Sequence, residues 1–410
     1  MRLIAPILAA LVLVPAASAW TPVSTVAVQS SMQGSGVRLA NGTELFAYSD
    51  GIASLHVWSS DGGDREIAQV SFVSEPQLVV TPSGVQLYVG SATGVVRFSS
   101  ADGRTWAGPF QTRSTKTGPV EAAAVRADGT PMFAQDSTAG VDVYQGLNGE
   151  VAHRAFSACC GYGESLAVDT SNYAQLAFWS NASPFPSQFV YEGLDATGAQ
   201  AGPGRAFGAP QTAQRGDDVP LVADGAGNTF MGWAGGYPSS TSFVVNDFRG
   251  GNLRSSTIVA GGRFSGADPH MALAADAASR LWAVWTQGGV VHARRSRSAA
   301  RHFGTPSTAA FGGTAYELAA VALASGAVDV FVNDGSELSH QTFLPALTIR
   351  ATRKSVRVTD DGIGVKATLR GGGRVVHTSA AGVAKLSGFK RKTRIVLGAP
   401  GYAPASFHTP

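Results

Sequence analysis

The chain has 410 residues, of which 50 are glycine and only 14% are charged, and its formal net charge is +3. Glycine supplies the positive-φ turns that many short strands need, whereas valine and threonine suit pleated, half-buried surfaces. No long segment carries apolar residues at the three- and four-residue spacing of an amphipathic helix. Composition and periodicity therefore exclude a mainly helical protein and predict an all-β one.

The N-terminus has the pattern of a secretory signal peptide. Arg2 is followed by an apolar run over residues 4–14 and then by small residues at 17–19. The run is shorter than the about 20 residues that a membrane-spanning helix needs. No later stretch reaches that length. We therefore predict a signal peptide over 1–19, no transmembrane segment, and a secreted or otherwise extracytoplasmic product.

The segment after residue 19 is an array of internal repeats. Each copy reads as a short apolar run, a turn, a second run, another turn and a third strand, and six of the copies begin with an acidic residue. The copies start at Gly34, Glu75, Glu121, Glu164, Asp218, Asp268 and Glu317. Their spacing of about 40–55 residues is typical of a four-stranded propeller blade. The array predicts a seven-bladed β-propeller over residues 20–345, with six blades and one irregular insertion as the alternative.

Ring closure also has a pattern in the sequence. The seventh copy shows only three strands before Pro345, whereas residues 20–30 read as an orphan outer strand with Trp20 at its start. Sharing one blade between the two ends removes the open edge between them. We predict that the N-terminal segment completes the last blade; a disordered lead-in is the alternative.

Two turns resemble the Asp-box hairpins of sialidase-like (BNR-repeat) propellers. They are Ser59-Ser60-Asp61-Gly62-Gly63 and Ser100-Ala101-Asp102-Gly103-Arg104-Thr105-Trp106. The first lacks the trailing aromatic residue and the second is one residue short. Asp boxes are structural, so the resemblance implies the architecture of residues 20–345 and not a chemistry.

Sialidase chemistry, by the same resemblance, would need an arginine triad with an Arg-Ile-Pro motif, a Tyr–Glu pair and an acid/base Asp. No Arg-Ile-Pro occurs, and Arg38 is followed by Leu39-Ala40. Glycoside hydrolysis more generally needs two carboxyl groups that flank the bond. The sequence presents no such pair, so catalytic residues stay unknown.

The acids that lead the repeats are the candidate metal site. Glu75, Glu121, Glu164, Asp218, Asp268 and Glu317 occupy equivalent positions. Rotational repetition brings them to one rim of the channel, where crowded carboxylates need a cation or hydrogen-bond donors to stay ionised. Many oxygen ligands suit Ca²⁺. The favoured interpretation is that each acid caps backbone N–H groups of a neighbouring blade and that no cofactor is bound, with a Ca²⁺ site as the alternative.

The two cysteines, Cys159 and Cys160, are adjacent. In an oxidising compartment they cannot link distant parts of one chain. We predict a vicinal disulfide on a loop between blades; intermolecular pairing or two reduced thiols are the alternatives. The scattered histidines show no metal-ligand spacing, and the Arg294–Arg297 run is interpreted as a solvated basic hairpin rather than a nucleic-acid site.

The last segment differs in charge from the rest. Residues 346–410 carry twelve Lys and Arg against Asp360 and Asp361, a net of +10, which leaves −8 for residues 20–345. Val365-Lys366-Ala367, the Thr378–Leu386 segment and the ending Ala399-Pro400-Gly401-Tyr402-Ala403-Pro404 resemble carboxypeptidase-regulatory-like modules. That resemblance implies a small transthyretin-like β-sandwich that acts as a stability or adhesion appendage.

Two classes of function follow. The first is an exported, non-catalytic binding or adhesion protein. Its propeller rim would recognise a glycan or an extracellular protein, and residues 346–410 would contact an anionic envelope polymer at low salt. The second is a sialidase-like carbohydrate-active hydrolase or lyase. The charge of the last segment favours the first, with no nucleic-acid partner and a monomeric chain.

Overall fold

The computed structural model describes residues 20–23, 34–50, 53–71, 74–137, 140–156, 161–207, 219–236, 241–262, 264, 270–297, 302–311, 315, 317–360 and 362–410. Within these ranges the chain forms strands and turns and no helix. The strands pair into nine four-stranded sheets, so the predicted all-β class is confirmed. The predicted signal peptide lies outside the described residues.

Four sheets follow one another along the first half of the chain, and in each the strands pair in sequence order. The short strand β1 (Thr21–Pro22) precedes them and belongs to a later sheet. Sheet 1 contains β2 (Ser35–Arg38), β3 (Glu44–Ser49), β4 (Ser54–Ser59) and β5 (Gly63–Gln69). Sheet 2 contains β6 (Ser74–Thr81), β7 (Gly84–Ser91), β8 (Gly94–Ser100) and β9 (Ala107–Gln111). Sheet 3 contains β10 (Val120–Val125), β11 (Pro131–Ser137), β12 (Gly140–Gln145) and β13 (Val151–Phe156). Sheet 4 contains β14 (Gly161–Val168), β15 (Ala174–Ser180), β16 (Gln188–Leu194) and β17 (Arg205–Phe207).

Three further sheets complete residues 20–345. Sheet 5 contains β18 (Leu221–Ala223), β19 (Asn228–Gly235), β20 (Ser242–Arg249) and β21 (Asn252–Gly261). Sheet 6 contains β22 (Met271–Ala275), β23 (Leu281–Gln287), β24 (Val290–Arg295) and β25 (Ser307–Ala310). Sheet 7 contains β26 (Glu317–Ala322), β27 (Val328–Asn333), β28 (Leu338–Phe343) and β1.

The first strands of the seven sheets form a closed ring. Each contacts the first strand of the next sheet, and β26 of sheet 7 contacts β2 of sheet 1. The ring is closed at its edge by β1, in which Thr21 pairs with His340 and Pro22 with Ser339. The predicted pairing of the N-terminal segment with the last repeat is therefore present for these two residues; residues 24–33 lie outside the described ones.

Apolar side chains fill the space between neighbouring sheets. At the junction of sheets 7 and 1, the rings of Phe46 and Phe331 stack with centroids 4.1 Å apart, and Trp58 meets Phe331 edge-on at 5.6 Å. Such aromatic pairs stabilise a contact beyond the area that they bury. Trp179 packs between sheets 4 and 5, and Trp285 packs between sheets 5 and 6.

The Asp-box-like turn after β8 has a defined hydrogen-bond pattern. The Ser100 hydroxyl accepts the Gly103 N–H at 2.8 Å, and Asp102 Oδ1 accepts the Arg104 and Thr105 N–H groups at 2.8 and 3.2 Å. These bonds satisfy backbone donors that the turn would otherwise leave exposed. The role of the turn in the described residues is thus structural.

The last part of the chain forms two sheets that share one core. The first contains β29 (Thr348–Ala351), β30 (Ser355–Asp360), β31 (Ile363–Gly364) and β34 (Val383–Lys385). The second contains β32 (Thr368–Gly371), β33 (Arg374–His377), β35 (Arg394–Gly398) and β36 (Ala405–His408). Buried side chains of both sheets contact one another, among them Val356 and Val358 from the first and Leu369, Ile395 and Leu397 from the second.

Asp360 joins this last part to the ring. Its carboxylate accepts from Arg280 Nη1 at 3.0 Å, from Arg295 Nη2, and from the Tyr402 hydroxyl at 2.9 Å. Arg295 is only 7% exposed, which corrects the interpretation of residues 294–297 as a solvated hairpin. The sequence could not show this contact because its partners lie 42 to 80 residues apart.

Candidate functional site

The first strands of the ring enclose a channel with a volume of about 590 Å³. Most of its wall is aliphatic. The described side chains that bring polar atoms to the wall are Ser35, Arg38, Gln77, Glu121 and Ser165. Cavities of this size are typical of small-molecule sites. The channel is therefore lined mainly by residues with aliphatic side chains, but most of the surface that they present to it is polar.

Three of the acids that lead the repeats sit on irregularities of the inner strands. The register shifts between Ser74 and Gln77, between Val120 and Ala122, and between Tyr162 and Ser165, which places three of these acids in bulges. A bulge locally ends regular pairing and redirects the side chain that it carries. The three acids are Glu75, Glu121 and Glu164. At these three positions the repeats thus share one kind of local backbone geometry.

Glu164 is a buried carboxyl group in a negative environment. It is 3% exposed. Burial raises its pKa well above the ordinary value, and the charges of Glu121 and Asp136 raise it further. The raised pKa favours the protonated, neutral form of the Glu164 carboxyl group. Its two carboxyl oxygens have no hydrogen-bond partner among the described residues. Glu121 lines the channel, so this pair lies at its edge.

The predicted metal site is only partly within the described residues. Asp218, Asp268 and the side chain of Glu75 lie outside them, as do Cys159 and Cys160. Among the side chains that are described, no group of three or more His, Cys, Asp or Glu is placed to hold a metal ion. Glu317 pairs across the sheet with Asn333. Calcium stays the alternative interpretation of this rim, and the vicinal disulfide stays a prediction.

A proton-sharing cluster that the sequence analysis missed lies where sheet 7 meets sheet 1. Burial, and then the charge and hydrogen bond of Asp329, raise the pKa of Glu44 to about 7. His340 Nδ1 lies 2.8 Å from Asp329 Oδ2, and the Thr342 hydroxyl donates to Asp329 Oδ1 at 3.2 Å. The signal available in the sequence was the one acid inside the apolar run of β27. Burial of a charge usually requires partners.

Glu44→Gln is expected to weaken the pH dependence of stability between about pH 4.5 and about pH 7. Because the folded-state pKa is raised, the folded protein binds this proton more tightly than the unfolded chain does. The resulting stabilisation is complete below the ordinary value of 4.5 and is lost as the pH rises through about 7. Melting temperatures of the wild type and the variant across this range test it. The exposed-site control Glu66→Gln should follow the wild type, and parallel curves for Glu44→Gln would contradict the assignment.

The C-terminal sheets present a basic surface. All twelve Lys and Arg side chains of residues 346–410 are exposed. They are Arg350, Arg353, Lys354, Arg357, Lys366, Arg370, Arg374, Lys385, Lys390, Arg391, Lys392 and Arg394. The described side-chain carboxylate of this segment, Asp360, is buried against Arg280 and Arg295 of the ring. It therefore does not neutralise the surface.

Solved structures resemble the chain in fold. The WD40 domain of Toxoplasma gondii coronin is 10% identical, with a TM-score of 0.51 over 80% of this chain and 84% of that chain. An ulvan lyase of polysaccharide lyase family PL25, solved bound to -[GlcA(1-4)Rha3S]-, is 10% identical, with a TM-score of 0.52 over 78% and 94%. At such identities the likeness shows the fold alone, which is that of β-propeller proteins. No protein-family profile and no curated protein matches the chain.

The described ranges also hold no helix long and apolar enough to cross a membrane.

Proposed function

We propose that the protein is an exported, non-catalytic binding or adhesion protein. In this proposal residues 20–345 form a seven-bladed propeller with sialidase-like turns, and residues 346–410 form a transthyretin-like sandwich. The propeller rim recognises a glycan or an extracellular protein, and the basic sandwich contacts an anionic envelope polymer. Seven four-stranded sheets follow one another around one channel, which supports seven blades rather than six.

The observation that carries the proposal is the separation of charge. Twelve cationic side chains are exposed on the C-terminal segment, while its described carboxylate is turned inward to the ring. Long flexible Lys and Arg side chains of one sign on a small unit produce a field that attracts polyanions. The net charge of residues 20–345 is −8, which disfavours polyanion binding through the field of that part.

Binding is favoured over the hydrolase or lyase alternative by the channel wall. The described residues that line the channel include one arginine, Arg38, and one residue with a carboxylate, Glu121. Carboxylate recognition of the sialidase type would need three arginines, and glycoside hydrolysis would need a second carboxyl group facing the substrate. The likeness to the ulvan lyase concerns fold only and adds nothing to that alternative.

The full chain is expected to bind to heparin or teichoic-acid resin at low salt and to elute as salt is raised from about 0.05 M to about 0.5 M, because screening weakens exposed charges. Neutralising Lys390, Arg391, Lys392 and Arg394 to Gln should move elution to clearly lower salt. The matched control replaces four exposed arginines of the ring by Gln. They are Arg65, Arg113, Arg205 and Arg249. Equal shifts for both variants, or salt-insensitive retention, would overturn the electrostatic role of the C-terminal segment.

A glycan array probed with the full chain, beside a panel of glycoside cleavage assays, tests the propeller rim. Binding without cleavage supports the proposal. Cleavage of any glycan that also binds would establish the hydrolase or lyase alternative instead. Arg38→Gln serves as the site variant, since Arg38 is the arginine among the described channel-lining residues.

A further inference from the structure

One face of the hairpin β29–β30 carries only polar side chains. Thr348 pairs with Thr359, and two positions along Arg350 pairs directly with Arg357. Alternate residues of a strand point to the same side of a sheet, so these four side chains share one face. The intervening residues, among them Val356 and Val358, pack into the core on the other side.

This face forms one wall of a cavity of about 170 Å³ at the junction with the ring. Arg297, which follows β24 of sheet 6, also lines this cavity, as does Gly362 in the turn after β30. The Arg297 backbone N–H donates to the His302 carbonyl at 2.8 Å, which fixes its position. The volume is below the about 300–1,000 Å³ of pockets for drug-sized ligands. It suits one small charged group.

Three arginine residues line this one cavity, and two of them, Arg350 and Arg357, pair directly across the hairpin. Like charges directly opposite each other on paired strands are destabilising. Among the described residues, neither Arg350 nor Arg357 forms an ion pair with a carboxylate or a side-chain hydrogen bond to a described partner. Both are exposed, so their heads are available to a ligand. An anion between them would offset the repulsion that the register imposes.

We propose that Arg297, Arg350 and Arg357, with the Thr348 and Thr359 hydroxyls, form a binding site for a tetrahedral oxyanion, the sulfate or phosphate group of an ester. Guanidinium groups present planar pairs of donors that match such oxygens. Three arginines and two hydroxyls offer more donors than the two oxygens of a carboxylate would use. The site thus prefers sulfate or phosphate esters over uronic acids.

This inference deepens the proposed function of the basic segment and rests on it. It adds that one ester group of the polymer is bound by specific hydrogen bonds in the cavity. The remaining exposed Lys and Arg side chains attract the polymer by long-range electrostatics alone. The same chemistry could come from a free ion or from an ester on a polymer. A free ion would fill the site without linking the protein to a surface.

The test compares two double variants of the full chain with equal loss of charge. Arg350→Gln/Arg357→Gln removes the paired arginines of the cavity. Arg370→Gln/Arg374→Gln removes two exposed arginines of the other sheet. Calorimetric titrations use sodium sulfate, sodium phosphate, a sulfated oligosaccharide and a non-sulfated polyuronate of equal length, all at constant ionic strength. Circular dichroism confirms that both variants are folded.

Saturable binding of the sulfated oligosaccharide is expected for the wild type and the control, within about twofold of each other. A loss of at least about tenfold is expected for the cavity variant, because two charge-assisted contacts are removed. Arg297→Gln should give an intermediate loss. Equal affinity for the polyuronate, or equal losses in the two double variants, would overturn the site.

The two proposals fail in different ways. If the wild type is held by polyanion resin and both double variants elute together with no saturable titration, the cavity is not an anion site and the proposed function stands. If free sulfate or phosphate binds but the resin does not hold the wild type, the proposed function fails. In that case the site serves a free ion, and the polymer-borne ester is excluded.

Discussion

Asp360→Ala is expected to lower the free energy of unfolding by about 3–5 kcal/mol, because it leaves a buried arginine without a counter-charge. Arg295 is 7% exposed and donates both to Asp360 and to the Gly326 carbonyl, the latter at 2.8 Å. Arg280 keeps Asp276 as a second partner at 2.7 Å. The cost should therefore arise mainly at Arg295. Melting temperature and amide hydrogen exchange in β30 measure it.

The control removes both charges together. Replacing a buried ion pair by apolar residues of similar volume is often neutral, whereas removing one partner is costly. Arg295→Met/Asp360→Leu should therefore regain most of the stability that Asp360→Ala loses. Tyr402→Phe, which removes only the 2.9 Å hydrogen bond to Asp360, should cost less than Asp360→Ala. An unaffected melting temperature in Asp360→Ala would show that the contact does not hold the two parts together.

Glu192→Gln is expected to stabilise the protein by a few kcal/mol near pH 8 and to have little effect near pH 4. Glu192, on β16, is 1% exposed, and burial raises its pKa to about 8. One carboxyl oxygen accepts from Gln200 Nε2 at 3.1 Å, and the other meets no described partner. The folded chain therefore holds the neutral acid, and the stabilisation present below the ordinary pKa is lost as the pH rises towards 8.

The upper limit of this effect is roughly 5 kcal/mol, since each pKa unit corresponds to about 1.4 kcal/mol. Glutamine keeps the shape and never ionises, so the variant should show a flatter curve of stability against pH. Denaturant unfolding at several pH values measures the difference. Glu66→Gln, at an exposed position, is the control. A wild type whose stability does not fall between about pH 4.5 and about pH 8 would refute the assignment.

The repeat pattern predicted most of the architecture, because short-range periodicity determines which runs become strands. The pairing of the N-terminal segment was predictable for a similar reason: the last repeat lacks one strand and Thr21–Pro22 supplies it. The bulges at the leading acids were not predicted. A register shift depends on the packing of two paired strands against each other. It cannot be inferred from the sequence of one strand alone.

The buried charges were the part that sequence reasoning could not reach. From the sequence alone, Asp360 is expected to lie on the surface, as most acidic residues do, and Arg295 is expected to be part of an exposed basic run. Only tertiary contact over 65 residues of separation turns them into a buried pair. Glu44 and Asp329 likewise come from the first and the last sheet of the ring. They are neighbours only because the ring closes, and Asp329 then raises the pKa of Glu44.

The position of Asp360 also determines how mechanical force passes through the molecule. A pull on a C-terminal segment attached to a surface would reach the chain first at β28, whose outer neighbour β1 is held by two residue pairs. The bonds from Asp360 to Arg280 and Arg295 give the same pull a second path, into sheet 6, where β23 and β24 pair over six positions. Load is thereby shared between two adjacent sheets, and the short strand that closes the ring is protected from being peeled away.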